Sequence, residues 1–179
     1  MFGAVVAVAR AVQDLGIILA AAVHRVGSAD LALQESGEIE EGDETSGTIY
    51  VLRSKSDNPA VAANREILHK IGVTGGSVER RIAGAKLDPT FLLADVELAA
   101  SYKLSNVNRT KLEALIHRVF EPVRLNIEIK DRFGNPVVPR EWFLVPLFVI
   151  DEAVARIKDG SIVDYRYDPA SASLNRIAS

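Results

Sequence analysis

The chain has 179 residues, 48% of them apolar and 25% charged, with a net charge of −3. That is enough apolar side chain for a sizeable core without metal or disulfide staples. The absence of cysteine excludes disulfides, thiol nucleophiles and cysteine-ligated zinc. His24, His69 and His117 stand too far apart to form a metal-ligand motif, and the composition suits the cytoplasm.

The first segment, "MFGAVVAVARAVQDLGIILAAAVHRVG", is rich in Ala and Val and is interrupted by Arg10, Asp14 and His24. Its uninterrupted apolar part, Leu15 to Val23, is too short for a bilayer span of about 20 residues. Its start lacks the basic region of a signal peptide. Arg10 and Asp14, four apart, can pair on one helix face. Residues 1–34 are therefore expected to form a helical extension. Its packing partner is its own domain, a second copy in a homodimer, or an upstream region.

Residues 35–44 form an acidic linker, with six acids in ten positions from Glu35 to Glu44. The charge is uneven as a result. Residues 1–44 hold eight acids and two bases, a net of −6, which leaves +3 for residues 45–179. A mildly basic main domain permits nucleic-acid binding without requiring it.

The main domain covers residues 45–168. "GTIYVLR" is β-branched and aromatic and reads as a strand, and "SKSDNPAVAANRE" as a loop turning at Asn58-Pro59. "ILHKIGV" is a second strand. A connection this short makes the two strands antiparallel neighbours. After the "TGG" turn, Ser77 is placed to cap the helix "VERRIAGAK", which Asp88-Pro89 ends. "DVELAASYK" alternates as a half-buried strand does. In "NRTKLEALIHRVF", Leu112, Leu115, Ile116, Val119 and Phe120 fall on one helix face. "RLNIEIK" alternates again, and a turn in "DRFGNPVVP" leads into "REWFLVPLFVI". A last helix runs near Asp151 to Lys158, "SIVDYRYD" is an extended segment, and residues 169–179 are expected to form a flexible tail. The class is α+β: a small, mostly antiparallel, three-stranded central sheet flanked by helices, with an extra N-terminal helix.

Helix geometry narrows the polar candidates. Val78, Ile82 and Ala85 define the buried side of their helix, so Arg81 borders it and Arg80 points to solvent. Glu113 borders the buried face of the later helix, and His117 lies one turn further along the same edge. Each has a plainer reading as well. Edge charges on helices are usually solvated, and a Glu and a His four apart can pair with each other. Tyr50 and Lys70 lie in the first two strands, where a single tyrosine is commonly a core residue with its hydroxyl at the surface. Gly75-Gly76 before a helix could cradle a phosphate or serve as a plain turn, and no phosphate-binding loop, nucleophile-elbow or zincin pattern is present.

The order "TIY" at Thr48–Tyr50, "KIG" at Lys70–Gly72, an arginine on the next helix and then a helix with a glutamate resembles the GIY-YIG nuclease superfamily. The closest likeness is to its phage-type DNA-binding-domain branch, which has lysine in the second motif, and it extends through "SVERRI", "NVNRTKLEALIHRVF" and "PREWFLVP". The resemblance implies a DNA endonuclease using one Mg²⁺ or Mn²⁺. Tyr50 would be the base for the attacking water, and Lys70 would contact phosphate or lower the tyrosine's pKa. Arg81 would clamp phosphate, Glu113 would bind the metal and His117 would orient a neighbour. Arg80, Arg53 and Lys86 would be further DNA contacts. In "GTIY" the motif glycine is displaced by one and the second tyrosine is absent, so the general base is left open. Two rivals stand beside this reading: a DNA-binding module that does not cleave, and an interaction domain that works through the N-terminal helix.

If DNA is the ligand, the acidic run competes with it. Changing Glu38, Glu40, Glu41 and Glu44 to Gln is expected to tighten DNA binding at low salt, with the gain fading as the Debye length shrinks to about 10 Å at 0.1 M salt. Titration at two salt concentrations checks this, and equal affinity at low salt would leave the run a simple linker.

Overall fold

The computed structural model describes residues 46–177. The expected N-terminal helix, the acidic linker and any homodimer through that helix lie outside them. Strands β1 (Gly47–Ser54), β2 (Leu68–Thr74), β3 (Val96–Leu104) and β6 (Trp142–Leu144) form one antiparallel sheet in the order β3–β1–β2–β6. The fold is α+β. The central sheet has four strands where three were expected. The extra one is three residues long and ends just before Pro146, too short to show an alternating pattern.

Strand β1 is internal and covered on both faces, which explains why it reads as a nearly continuous apolar run. Ile49, Val51 and Ile71 face a large core with Leu112, Leu115 and Ile116 of helix α3 (Arg109–Val119) and Val149, Ile150, Ala153 and Val154 of helix α4 (Leu147–Lys158). Each such buried Val, Leu or Ile side chain contributes about 1.5–3 kcal/mol of transfer free energy. The opposite face carries a smaller cluster, Tyr50, Leu52, Val78, Ala85 and Phe91. Leu68 and Trp142 extend it with Val61, Leu92 and Leu125.

The connections between strands hold more helix than the sequence suggests. Pro59–Ala62 is a short helix, α1, capped by the Asn58 side chain, where a loop was expected. Helix α2 (Val78–Ile82) is capped by Ser77, whose hydroxyl accepts from Arg80 N at 3.2 Å. It is shorter than expected: Gly84 separates it from a 3₁₀ turn at Ala85–Leu87. Of the "RLNIEIK" stretch only β4 (Ile129–Lys130) is strand, paired with β5 (Pro136–Val137). Helix α4 begins at Leu147, earlier than its polar residues indicate, because its first turn is almost wholly apolar. The expected flexible tail is also corrected. β7 (Tyr165–Asp168) pairs with β8 (Ser173–Arg176), and Leu174 is buried in the main core. Among the described residues, no helix is long and apolar enough to cross a membrane.

Candidate functional site

The site forms where the two faces of the sheet meet, along the outer edge of β2. Strand β6 covers that edge only from Leu68 to Lys70. Beyond it, the backbone groups of β2 need other partners, since an unpaired buried amide or carbonyl is costly. Ile71 N donates to Glu141 O at 3.0 Å. The next two groups are satisfied by side chains of α3. His117 Nε2 donates to Ile71 O at 2.8 Å, and Glu113 Oε1 accepts from Val73 N at 3.3 Å. The four-residue spacing of Glu113 and His117 thus matches two successive rungs of the strand, and the structure gives both a strand partner in place of each other.

From the other face, Tyr50 reaches the same edge. Tyr50 is paired with Gly72 across the β1–β2 ladder, so both point to one side. Its ring lies over Gly72. A Cβ on that residue would overlap the phenol oxygen and Cζ and lie 3.0 Å from Cε1. The glycine is required here for close approach, not for an unusual backbone angle. Gly72→Ala is expected to force the ring aside, costing about 1–3 kcal/mol of stability as overpacking does and separating the phenol from Arg81. Thermal unfolding together with the tyrosine environment in near-ultraviolet circular dichroism checks this. A variant with unchanged stability and spectrum would contradict the packing described.

The Arg81 guanidinium, on α2, donates through Nε to the Tyr50 hydroxyl at 3.4 Å. Burial pushes the Tyr50 pKa above its ordinary value. The hydrogen bond and charge of Arg81 oppose that shift, and the charges of Glu141 and Glu113 reinforce it. Arg81 is raised in turn, first by its bond to Tyr50. Arg80, next to it, is exposed.

Lys70 behaves differently from expectation. It is fully buried, and its ammonium is taken up by protein partners rather than left for a substrate phosphate. Its ammonium pairs with Glu141, donates to Thr90 O at 3.3 Å and sits 4.6 Å from the Phe91 ring centroid. Burial lowers its pKa and Glu141 opposes the shift. The cation resting on the phenol is therefore Arg81. Arg53 is also displaced from the site. Its Nε donates to His69 Nε2 at 3.3 Å, and His69 belongs to the opposite face of the sheet from Lys70. Lys86 pairs with Asp95 at 2.9 Å on the surface.

Glu141 was not singled out from the sequence, although it is the lone acid between Arg140 and a long apolar run. Its side chain is 31% exposed, and its charge acts on Tyr50, Lys70 and Arg81 together.

Among the described residues, no three acidic or histidine side chains converge into a ready cage for a metal ion. Glu113 has one carboxylate oxygen on a backbone amide. Such a group fits a cation shared with a substrate phosphate, as magnesium sites with one or two carboxylates are.

The T5orf172 domain model matches residues 47–158, which span the four-stranded sheet, α3 and all of α4. The chain belongs to the T5orf172 domain family. This corrects the GIY-YIG resemblance, since the T5orf172 domain is a distinct family. The "TIY" and "KIG" triplets are three-residue pieces of β1 and β2, each centred on a core isoleucine, Ile49 or Ile71, a pattern that buried strands produce readily. The T5orf172 chain is 40% identical over 123 residues to the uncharacterized protein YeeC of Bacillus subtilis strain 168. That alignment covers 66% of this chain and 32% of YeeC, so the chain spans about a third of its relative's length. No solved structure matches it.

Proposed function

We propose that this T5orf172 domain is a metal-dependent DNA endonuclease that hydrolyses phosphodiester bonds. The observation that supports it most is the meeting of the Tyr50 phenol and the Arg81 guanidinium over Gly72, on the strand edge to which Glu113 is also bound. Phosphodiester hydrolysis needs a deprotonated water, neutralisation of the phosphoryl oxygens and help for the leaving oxygen. A guanidinium grips a phosphate through two parallel donors. A divalent cation, when bound, supplies Lewis-acid stabilisation of the phosphoryl and leaving oxygens. Glu113 is the residue that would hold it. Tyr50, itself only 1% exposed, is the candidate base, reached where its hydroxyl meets the exposed Arg81, and His117 keeps α3 seated on β2.

The phenol is protonated at neutral pH, because its raised pKa lies further above 7 than the ordinary value near 10. If the phenolate is the base, cleavage climbs with pH through the neutral and mildly alkaline range. Tyr50→Phe is expected to flatten that slope. A pH–rate profile that keeps its slope in the variant would remove Tyr50 as base.

The same raised pKa, with no ready cation cage among the described residues, favours a second reading: a module of this fold that binds DNA phosphates and does not cut them. An interaction role for the N-terminal helix falls outside the described residues. Plasmid nicking with Mg²⁺ and Mn²⁺, with Glu113→Ala as control, tests the nuclease. Binding without metal-dependent nicking would support the module, and neither would refute both.

A further inference from the structure

Lys70 is the one fully buried ammonium among the described residues, and Glu141 is its ion-pair partner. An unpaired charge in this position is too costly to keep, so the pair is a fixed element of the structure. Three further contacts fix it. Glu141 O accepts from Ile71 N at 3.0 Å, the Trp142 indole donates to Thr90 O at 3.0 Å, and the Lys70 ammonium reaches that same Thr90 O.

The register then places the carboxylate. Lys70 and Gly72 project from the same face of β2, and the backbone of Glu141 bonds to Ile71 between them. The Tyr50 hydroxyl lies over Gly72, with Arg81 upon it. A side chain that starts beside Ile71 and reaches Lys70 therefore lies on the same face of the sheet as the phenol. Its part-exposed carboxylate stands on the Arg81 side of the sheet. Arg81 itself sits on a five-residue helix, is exposed, and meets the phenol at the long distance of 3.4 Å. Such a guanidinium has many rotamers open to it, and a phosphate clamp works only if it is held in place beforehand.

We propose that Glu141 is a positioning residue for the Tyr50–Arg81 pair: anchored by the buried Lys70, its carboxylate holds the guanidinium against the phenol, ready for a phosphate. Lys70 acts through Glu141 and does not touch the substrate. The inference rests on reading this edge as a phosphate-facing site. The charged groups acting on the phenol are Arg81 from α2, Glu141 ahead of β6 and Glu113 from α3, and Asp88 acts with Glu141 on both Arg81 and Lys70.

The test reads the Arg81 Nε–H directly by nitrogen NMR in the full chain without DNA, with the signal assigned by its loss in Arg81→Lys. In Lys70→Met/Glu141→Gln, which removes both charges together, hydrogen exchange at Arg81 Nε is expected to be about tenfold faster than in the wild type, the scale of one lost hydrogen bond. Lys70→Met alone should show the same direction, because the carboxylate loses its anchor. Glu141→Asp keeps a counter-charge for Lys70 and so serves if the double variant does not fold. One methylene shorter, it cannot both pair with Lys70 and face Arg81, so its exchange should also quicken. Wild-type exchange in the double variant, or in Glu141→Asp when the double variant is unfolded, would overturn the proposal and leave Glu141 as a counter-ion alone. Because the readout needs neither DNA nor cleavage, a failed nicking assay would sink the nuclease reading and leave this measurement standing.

Discussion

Alanine at Glu113 is expected to abolish metal-dependent nicking while leaving DNA binding largely intact. Glu113 is the carboxylate proposed to hold the cation, and losing that ion removes several kcal/mol of transition-state stabilisation, a factor on the order of a thousand or more in rate. The residue has a second duty that complicates the alanine variant. Its Oε1 accepts from Val73 N on a strand edge that no other strand covers. Leaving that amide unpaired costs about 1–3 kcal/mol of stability. Glutamine separates the two effects, since it keeps an acceptor oxygen for Val73 and loses the charge. Glu113→Gln should melt close to the wild type and cut no better than Glu113→Ala. Nicking assays beside thermal unfolding on both variants check this, and wild-type cleavage by Glu113→Gln would show that the charge is not used.

Arg81→Ala is expected to cost on the order of a hundredfold in cleavage rate, the scale of losing one transition-state donor. Arg80→Ala should cost far less. Both arginines are exposed, so accessibility does not distinguish them. What does is that Arg81 reaches the Tyr50 hydroxyl. Removing Arg81 also takes away the hydrogen bond and charge that hold the phenol's pKa down, so burial and the two acids then push it higher still. Arg81→Lys should recover only part of the activity, because an ammonium offers no planar pair of donors. Single-turnover rates for the three variants decide the matter. Equal losses at Arg80 and Arg81 would place the phosphate elsewhere on α2.

Period and capping made much of this architecture readable beforehand. Strands β1 and β2, their antiparallel pairing, the Ser77 cap and the long apolar face of α3 all follow from local rules that the tertiary structure does not override. Elements without a period were misjudged. β6 is three residues long, and β8 is a four-residue strand with one buried leucine in a polar tail. The side of the helix on which Arg81 lies was likewise readable from spacing. The Lys70–Glu141 pair was not, because it joins residues 71 positions apart through a register that only the folded sheet defines. A lysine in a strand that reads "LHKIGV" gives no sign that its ammonium is buried, and an isolated acid before a tryptophan gives no sign of what it faces.

Glu113 and His117 end the ladder on the outer side of β2, and that has a consequence for self-association. A bare strand edge invites a foreign strand to add to it, the route by which sheets fuse between molecules. Here the inviting groups, Ile71 O and Val73 N, are already occupied by side chains, which satisfy a rung and offer none in return. The helix thus works as a stopper, and the carboxylate assigned to chemistry is one of its two prongs. Whatever draws Glu113 outward also uncorks half of that edge.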